Sequence, residues 1–352
     1  MKAKTEQWKV GQFSDIKANA PTNSVSSITH PNVHPLAHGN QSTSNNNHKR
    51  ELAVDETENR VRASKRCKLT ASHNTGELTG INQFLPVGCQ WSDNSCAYDT
   101  IISLLYNMWL DRPSSLKEFL EMTDPLFLIL VKCFEDIKYS QARLTDLREY
   151  MRQCLQIQCP NEFEYGRYAS ISSILNVLFA AKENVVKLQF ECSAGHSSSR
   201  SQSTKSSFVI SLGVDTYESI QEWISSKGTA TRRLCLICSE PIIYKHVYDI
   251  PPYFLAFEFS ERALYLDHKI SLLVNDRTIH YFLKCVVYYG RSHFIGRYID
   301  LKGRTWIYDG MSNEGFMEYD TQHVDKDFST CRSMNAIAAI YVRSPKVRLA
   351  TG

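Results

Sequence analysis

The chain has 352 residues, 43% of them hydrophobic, and 40 Lys and Arg against 37 Asp and Glu give a formal charge of +3. That is enough apolar material for one large domain or two small ones, and so near-neutral a balance gives no argument for nucleic-acid binding. Eleven cysteines without the dense framework of a small secreted protein, no leader-like segment and no long apolar run point to an intracellular, reducing setting with no membrane span.

Residues 1–80 are rich in Ser, Asn, Thr and His, as in Gln41 to His48, and poor in periodic apolar residues. A disordered tail is expected there. It holds eleven basic and seven acidic residues, so it carries +4 and the remainder of the chain −1. Lys49-Arg50 and Lys65-Arg66-Cys67-Lys68 form a loose bipartite basic pattern, more widely spaced than a usual nuclear signal. Such doublets are common in disordered tails, so cytoplasmic and nuclear placement both stay open.

The stretch Gln90-Trp91-Ser92-Asp93-Asn94-Ser95-Cys96-Ala97-Tyr98-Asp99 runs into apolar residues at 97, 101, 104, 105 and 108, with Ile102 and Trp109 widening the stripe. The spacing predicts a largely buried helix, and Asp93, Asn94 and Ser95 are all candidate N-caps that start it beside Cys96. A thiol in a helix's first turn faces unpaired N–H groups and the positive end of the dipole. Both favour thiolate and can stabilise an oxyanion. Taken alone, Cys96 also reads as an inert core cysteine.

Asp111 to Pro160 is expected to be mainly helical, with apolar faces at Leu116, Phe119 and Leu120 and again at Leu126, Leu128, Leu130 and Val131. Gly166 to Phe179 follows with Ile171, Ile174, Leu175 and Leu178 in helical register. Beyond Leu188 the pattern turns to strands. Cys235-x-x-Cys238 has zinc-knuckle spacing, and Cys192-x-x-x-His196 supplies two further ligands for a closed tetrahedral Cys₃His site of structural type. The alternative is two cysteine remnants in loops.

Tyr281 to Tyr289 reads as a buried strand ended by Gly290. His293 opens a second strand to Asp300, Lys302-Gly303 turns the chain, and Arg304 to Tyr308 returns. The hairpin would bring Asp309 alongside His293. A thiol, an imidazole and a carboxylate are the parts of a cysteine hydrolase. Read blandly, His293 is a turn histidine and Asp309-Gly310 a turn signal. His246, His268 and His280 compete as bases, but no hairpin places an acid beside them.

These residues resemble the ubiquitin-specific protease family of cysteine peptidases and its SUMO-directed relatives. Its cysteine box, Gly-Asn-Thr-Cys-Tyr-Met-Asn, is similar to Asp93 to Asp99. Its histidine box is similar to Ser292-His293-Phe294 with Trp306-Ile307-Tyr308-Asp309. Cys192 to Ser197 and Cys235 to Cys238 resemble its finger knuckles, Pro251 to Phe259 the strand after them, and Ala338 to Arg343 the closing strand. The resemblance spans roughly 81–345. Trp91 stands where the family has an oxyanion asparagine, leaving Gln90, Asn94 or backbone N–H groups as donors. Asp99 resembles the SUMO-directed branch, and Gly310 replaces a second acid.

The resemblance implies an α+β, papain-like cysteine peptidase with a helical thumb (81–185), β-rich fingers and palm (186–346) and a short tail (347–352). It implies Cys96, His293 and Asp309 as catalytic residues, structural zinc on Cys192, His196, Cys235 and Cys238, no catalytic cofactor, and ubiquitin or a SUMO-like modifier as partner. Phe294, Trp306 and Tyr308 either wall the channel for the modifier's tail or belong to the core. A modifier-binding pseudoenzyme and a partner-binding zinc-finger protein are the alternatives.

Overall fold

In a computed structural model, residues 85–139, 142–182, 185–196, 207–212, 218–226, 229–259, 264–321 and 327–344 are described. The expected tails at 1–80 and 347–352, with the basic doublets, lie outside the described residues. No described helix is long and apolar enough to cross a membrane.

Helices dominate the first part: α1 (Cys96–Asp111), α2 (Lys117–Leu120), α3 (Pro125–Tyr139), α4 (Leu144–Gln158) and α5 (Ile171–Leu178). α1 is buried from Cys96 to Trp109, as its nearly continuous apolarity predicts. Its start differs in one detail from the expected capping. Ser95 occupies the N-cap, but no side chain caps the helix there, because the Ser95 hydroxyl donates to Asp99 instead. α5 is shorter than the 166–179 pattern. Gly166 sits at φ +77° in a turn, and the helix starts only where Ser170 accepts a hydrogen bond from the Ser173 N–H at 3.4 Å.

Strands follow: β1 (Val186–Cys192), β2 (Val209–Leu212), then, after the short helix α6 (Ile220–Ser225), β3 (Thr229–Leu234), β4 (Pro241–Tyr248), β5 (Phe254–Phe259), β6 (Lys269–Val274), β7 (Arg277–Gly290), β8 (His293–Ile299), β9 (Thr305–Tyr308), β10 (Glu318–Asp320), β11 (Thr330–Cys331) and β12 (Met334–Arg343). Nine of them form one sheet along β10-β9-β8-β7-β12-β5-β2, with β6 paired to β7 and β11 to β12. Only the β2–β5 pairing in that sheet is parallel. A separate three-stranded antiparallel sheet, β1-β4-β3, carries the Cys/His knuckles.

The chain is thus mixed helix and sheet, and α1 is packed against β8. Two residues make this close approach work. At Gly296 an added Cβ would lie 2.9 Å from the Leu104 side chain, so the strand can meet the helix only without a side chain there. Thr100, one turn into α1, donates both to the Cys96 carbonyl at 2.8 Å and to the Phe294 carbonyl at 3.4 Å. Behind α1, Phe119, Phe127, Phe179, Phe208 and Phe254 form an aromatic cluster that joins the helices to β2 and β5, with the Phe119 and Phe254 rings 4.7 Å apart.

Candidate active site

The two stretches far apart in sequence are joined by an intervening strap, residues 87–92. On one side it is bonded to α1: the Val87 N–H donates to Asn107 Oδ1 at 3.1 Å and the Cys89 N–H to Ser103 Oγ at 2.9 Å. On the other it meets the segment after β9. The Gly88 N–H donates to the Gly315 carbonyl at 2.6 Å, the Trp91 N–H to the Gly310 carbonyl at 3.0 Å, and the Tyr308 hydroxyl to the Cys89 carbonyl at 2.6 Å. Gly310 has a local reason. A Cβ there would fall 2.5 Å from the Tyr308 hydroxyl, so an acid there would displace that hydroxyl from its bond to the Cys89 carbonyl of the strap.

His293 is brought in by the β7–β8 hairpin, whose two-residue turn, Arg291-Ser292, is left-handed at both positions (φ +52° and +58°) and pairs Gly290 with His293. His293 Nε2 lies 2.9 Å from Asp309 Oδ1, just past the end of β9. The Cys96 thiol acts on the same imidazole, raising its pKa as a hydrogen-bonding neighbour does. With Nε2 facing the carboxylate, Nδ1 is the ring nitrogen left for the sulfur. Asp309 is itself held: its Oδ1 accepts from the Met311 N–H at 3.1 Å, and its Oδ2 accepts from Ser312 Oγ at 3.0 Å and Arg332 Nη1 at 3.3 Å. These supports went unseen in the sequence reading. An Asp-Gly-x-Ser turn is the only local signal for any of them.

The electrostatics follow from these bonds. The Asp309 bond first, then the Cys96 bond, push His293 up to about 9, while the His293 bond holds the Asp309 carboxyl down at about 2. Imidazolium is therefore the resting form at neutral pH, and it is lost as pH rises through about 9. Asp309→Ala removes the larger support and should move His293 back toward 6.5. A rate profile from pH 6 to 10 checks this: the alkaline limb of the wild type should fall near 9, and the variant should keep about 1% of the activity with its limb displaced to lower pH. An unmoved limb would refute the assignment.

The other predicted residues sort as follows. Cys96 is 3% exposed at the head of α1, where the Asp99 N–H is the first seen to close a helical bond, to Ser95 O at 2.8 Å. Gln90 is exposed, and its carbonyl is held by Arg148. The Asn94 amide donates one of its two N–H groups to the Gly166 carbonyl at 2.9 Å. Tyr308 and Trp306 belong to the core rather than to a channel wall, whereas Phe294 is half-buried against the exposed Tyr289. Of the competing histidines, His246 lies in the small sheet and is pushed down to about 4 by burial, His268 packs on Phe328, and His280 pairs with Ser271.

Asp99 is fully buried, and burial pushes its carboxyl up to about 6 against the pull of Arg148. Arg148, from α4, donates to Asp99 Oδ1 at 2.8 Å and is itself buried. Sequence reasoning missed Arg148, although an acid inside a buried helical stripe signals that a cation must come from elsewhere.

Away from the thiol, Cys192, His196, Cys235 and Cys238 place their ligand atoms within 4.8 Å of one another. Cys192 Sγ lies 3.4 Å from His196 Nδ1 and 3.5 Å from Cys238 Sγ, and Cys235 Sγ lies 3.8 Å from His196 Nδ1. A tetrahedral ion with metal–sulfur bonds of about 2.3 Å and metal–nitrogen bonds of about 2.0 Å needs edges of roughly 3.5–3.8 Å, and these three separations fall in or close to that range. Backbone N–H groups of Cys238 and Ile237 point at the Cys235 sulfur and bring its thiol down to about 6. The cluster can hold a metal.

No protein-family model matches the chain, and no curated protein does. Among solved structures, a SAGA DUB module of Ubp8, Sgf11, Sus1 and Sgf73 bound to monoubiquitin is similar at a TM-score of 0.45 and 14% identity over 74% of this chain and 69% of that one. A yeast SAGA DUB module with an Sgf73 variant gives 0.43 and 14% over 74% and 68%, and one bound to ubiquitin aldehyde 0.42 and 12% over 74% and 70%.

Proposed function

We propose that the protein is a thiol-dependent isopeptidase that removes ubiquitin or a ubiquitin-like modifier from lysine side chains. What supports this reading most is the His293–Asp309 bond together with Cys96, at the head of a buried helix, acting on the same imidazole. The Cys96 thiolate adds to the carbonyl of the modifier's terminal glycine, and the carbonyl π pair moves onto oxygen. Collapse of that intermediate breaks the C–N bond, and imidazolium at His293 gives its proton to the leaving lysine amine. Water, deprotonated by His293, then cleaves the thioester and restores the thiol. Asp309 keeps the imidazole oriented and favours its charged form.

The same reading takes the helices of 96–178 as a thumb, the large sheet as a palm and β1-β4-β3 as fingers. Zinc is the metal suited to the Cys₃His donors, as a structural ion with all four positions filled by protein. Asp99 resembles the SUMO-directed branch, while its burial against Arg148 also gives it a structural role, so ubiquitin and a SUMO-like modifier both stand as substrates of this class. An intracellular location fits a free thiol.

Electrophilic C-terminal probes of ubiquitin and of SUMO, applied in parallel, test the proposal. An adduct on Cys96 with one of them is the expected result and identifies the modifier. A folded, monodisperse protein that reacts with neither would move the assignment to a modifier-binding pseudoenzyme.

A further inference from the structure

We infer that Arg148 is a positioning residue for acyl transfer: its guanidinium holds residues 90–95 in register with the first turn of α1, and so fixes the hydrogen-bond donors beside the thiol. The inference rests on the reading of Cys96 as nucleophile.

The observation is a surplus of bonds. Cross-linking α4 to α1 needs only the Arg148–Asp99 pair, both partners being buried. The guanidinium does more. Nη1 also donates to the Gln90 carbonyl at 2.7 Å and to Ser95 Oγ at 3.2 Å, and Nη2 donates to Ser92 Oγ at 2.7 Å. Three of its acceptors therefore lie on the six residues that precede Cys96. One turn later on α4, Arg152 donates to the Asp93 carbonyl at 3.0 Å. The segment needs this support, because Asp93 and Asn94 are both left-handed (φ +46° and +58°) and such backbone persists only where its surroundings over-determine it. Ser95 completes the link by accepting from the Ser92 N–H at 3.0 Å while donating to Asp99.

The consequence is for the step in which charge develops on oxygen. The Cys96 backbone N–H, in the first turn of α1, follows directly on this segment and is the donor available to that oxygen. A shift of about 1 Å in such donors costs on the order of 10²-fold in rate. A fixed planar fork suits the task; a lysine would neutralise Asp99 but could not span four acceptors.

Two small electrophiles separate this role from a merely structural one. Iodoacetamide alkylates the thiolate as the Sγ–C bond forms and iodide leaves, with no charge on oxygen. p-Nitrophenyl acetate acylates it through a tetrahedral oxyanion, then p-nitrophenolate leaves and an acetyl thioester remains. Both are read at the Cys96 peptide by mass spectrometry, on wild type, Arg148→Lys, Arg148→Met and the Asp99→Asn/Arg148→Met pair, which avoids stranding a buried carboxylate. In variants with native circular dichroism, acylation should fall by about 10²-fold and alkylation by no more than about 3-fold. Arg148→Lys should be folded yet slow to acylate. Equal loss of both reactions, loss of neither, or wild-type acylation in Arg148→Lys would overturn the inference. A wild-type Cys96 that reacts no faster than the other cysteines with either reagent would instead overturn the nucleophile assignment, and the inference with it.

Discussion

Cys96→Ala should abolish turnover, by about 10⁴-fold or more, and leave the fold in place. The size of the effect follows from the proposed mechanism, since among the described residues Cys96 is the one thiol that acts on His293 and the covalent step has no substitute. The fold should survive because the change removes one buried sulfur from a helix whose packing is carried by Ile101, Leu104, Leu105 and Met108. A cost of about 1 kcal/mol is expected, or a few degrees in Tm for a domain of this size. His293 supplies an independent reading. It loses one of two supporting bonds, so its titration followed by NMR should drop below about 9 yet stay above 6.5, because the Asp309 bond remains. Residual turnover above about 1%, or an imidazole titrating as in the wild type, would remove Cys96 from the mechanism.

The second large effect is on stability. Purified from cells, the protein should carry about one zinc per chain, and stripping it with a strong chelator should lower Tm by roughly 10 °C or more. The four donors close a sheet of only three strands, β1-β4-β3, whose knuckle loop exposes Leu236 and Ile237 and adds little apolar burial of its own. Cys238→Ser should reproduce the loss of metal and of Tm while Cys96 still reacts with iodoacetamide, since Cys96, His293 and Asp309 lie on α1, β8 and the end of β9. Metal-free protein with an unchanged Tm would rule the site out, and loss of Cys96 reactivity would contradict the separation of the two centres.

Local signals carried much of this structure. The apolar stripe after Cys96 announced a buried helix, and Gly290 and Lys302-Gly303 announced the two turns that bracket His293 and bring back Asp309. The Cys235 and Cys192 knuckles were visible from spacing. What stayed hidden depends on partners that sequence does not link. Arg148 looks like any helical arginine until Asp99 is seen to be buried opposite it. Asn94 resembles a cap or an oxyanion donor, and its bond to the Gly166 carbonyl across seventy-two residues has no signal in the sequence. Trp306 and Tyr308 alternate along an ordinary strand, and their burial comes from the 87–92 strap and from β10. The parallel seat of β2 beside β5 has no sequence signature at all.

The position of β12 bears on when the chain acquires its chemistry. The last described strand lies in the interior of the large sheet, between β5 and β7. During synthesis Cys96 leaves the ribosome roughly two hundred residues before His293, and β7, which carries the histidine's hairpin and already pairs with β6 and β8, gains β12 only when Arg343 has emerged. Contacts of such sequence separation form late, since loop closure must precede any gain from pairing. A growing chain therefore presents the thiol without its imidazole, and the Cys96–His293 contact marks a chain translated to the end of β12.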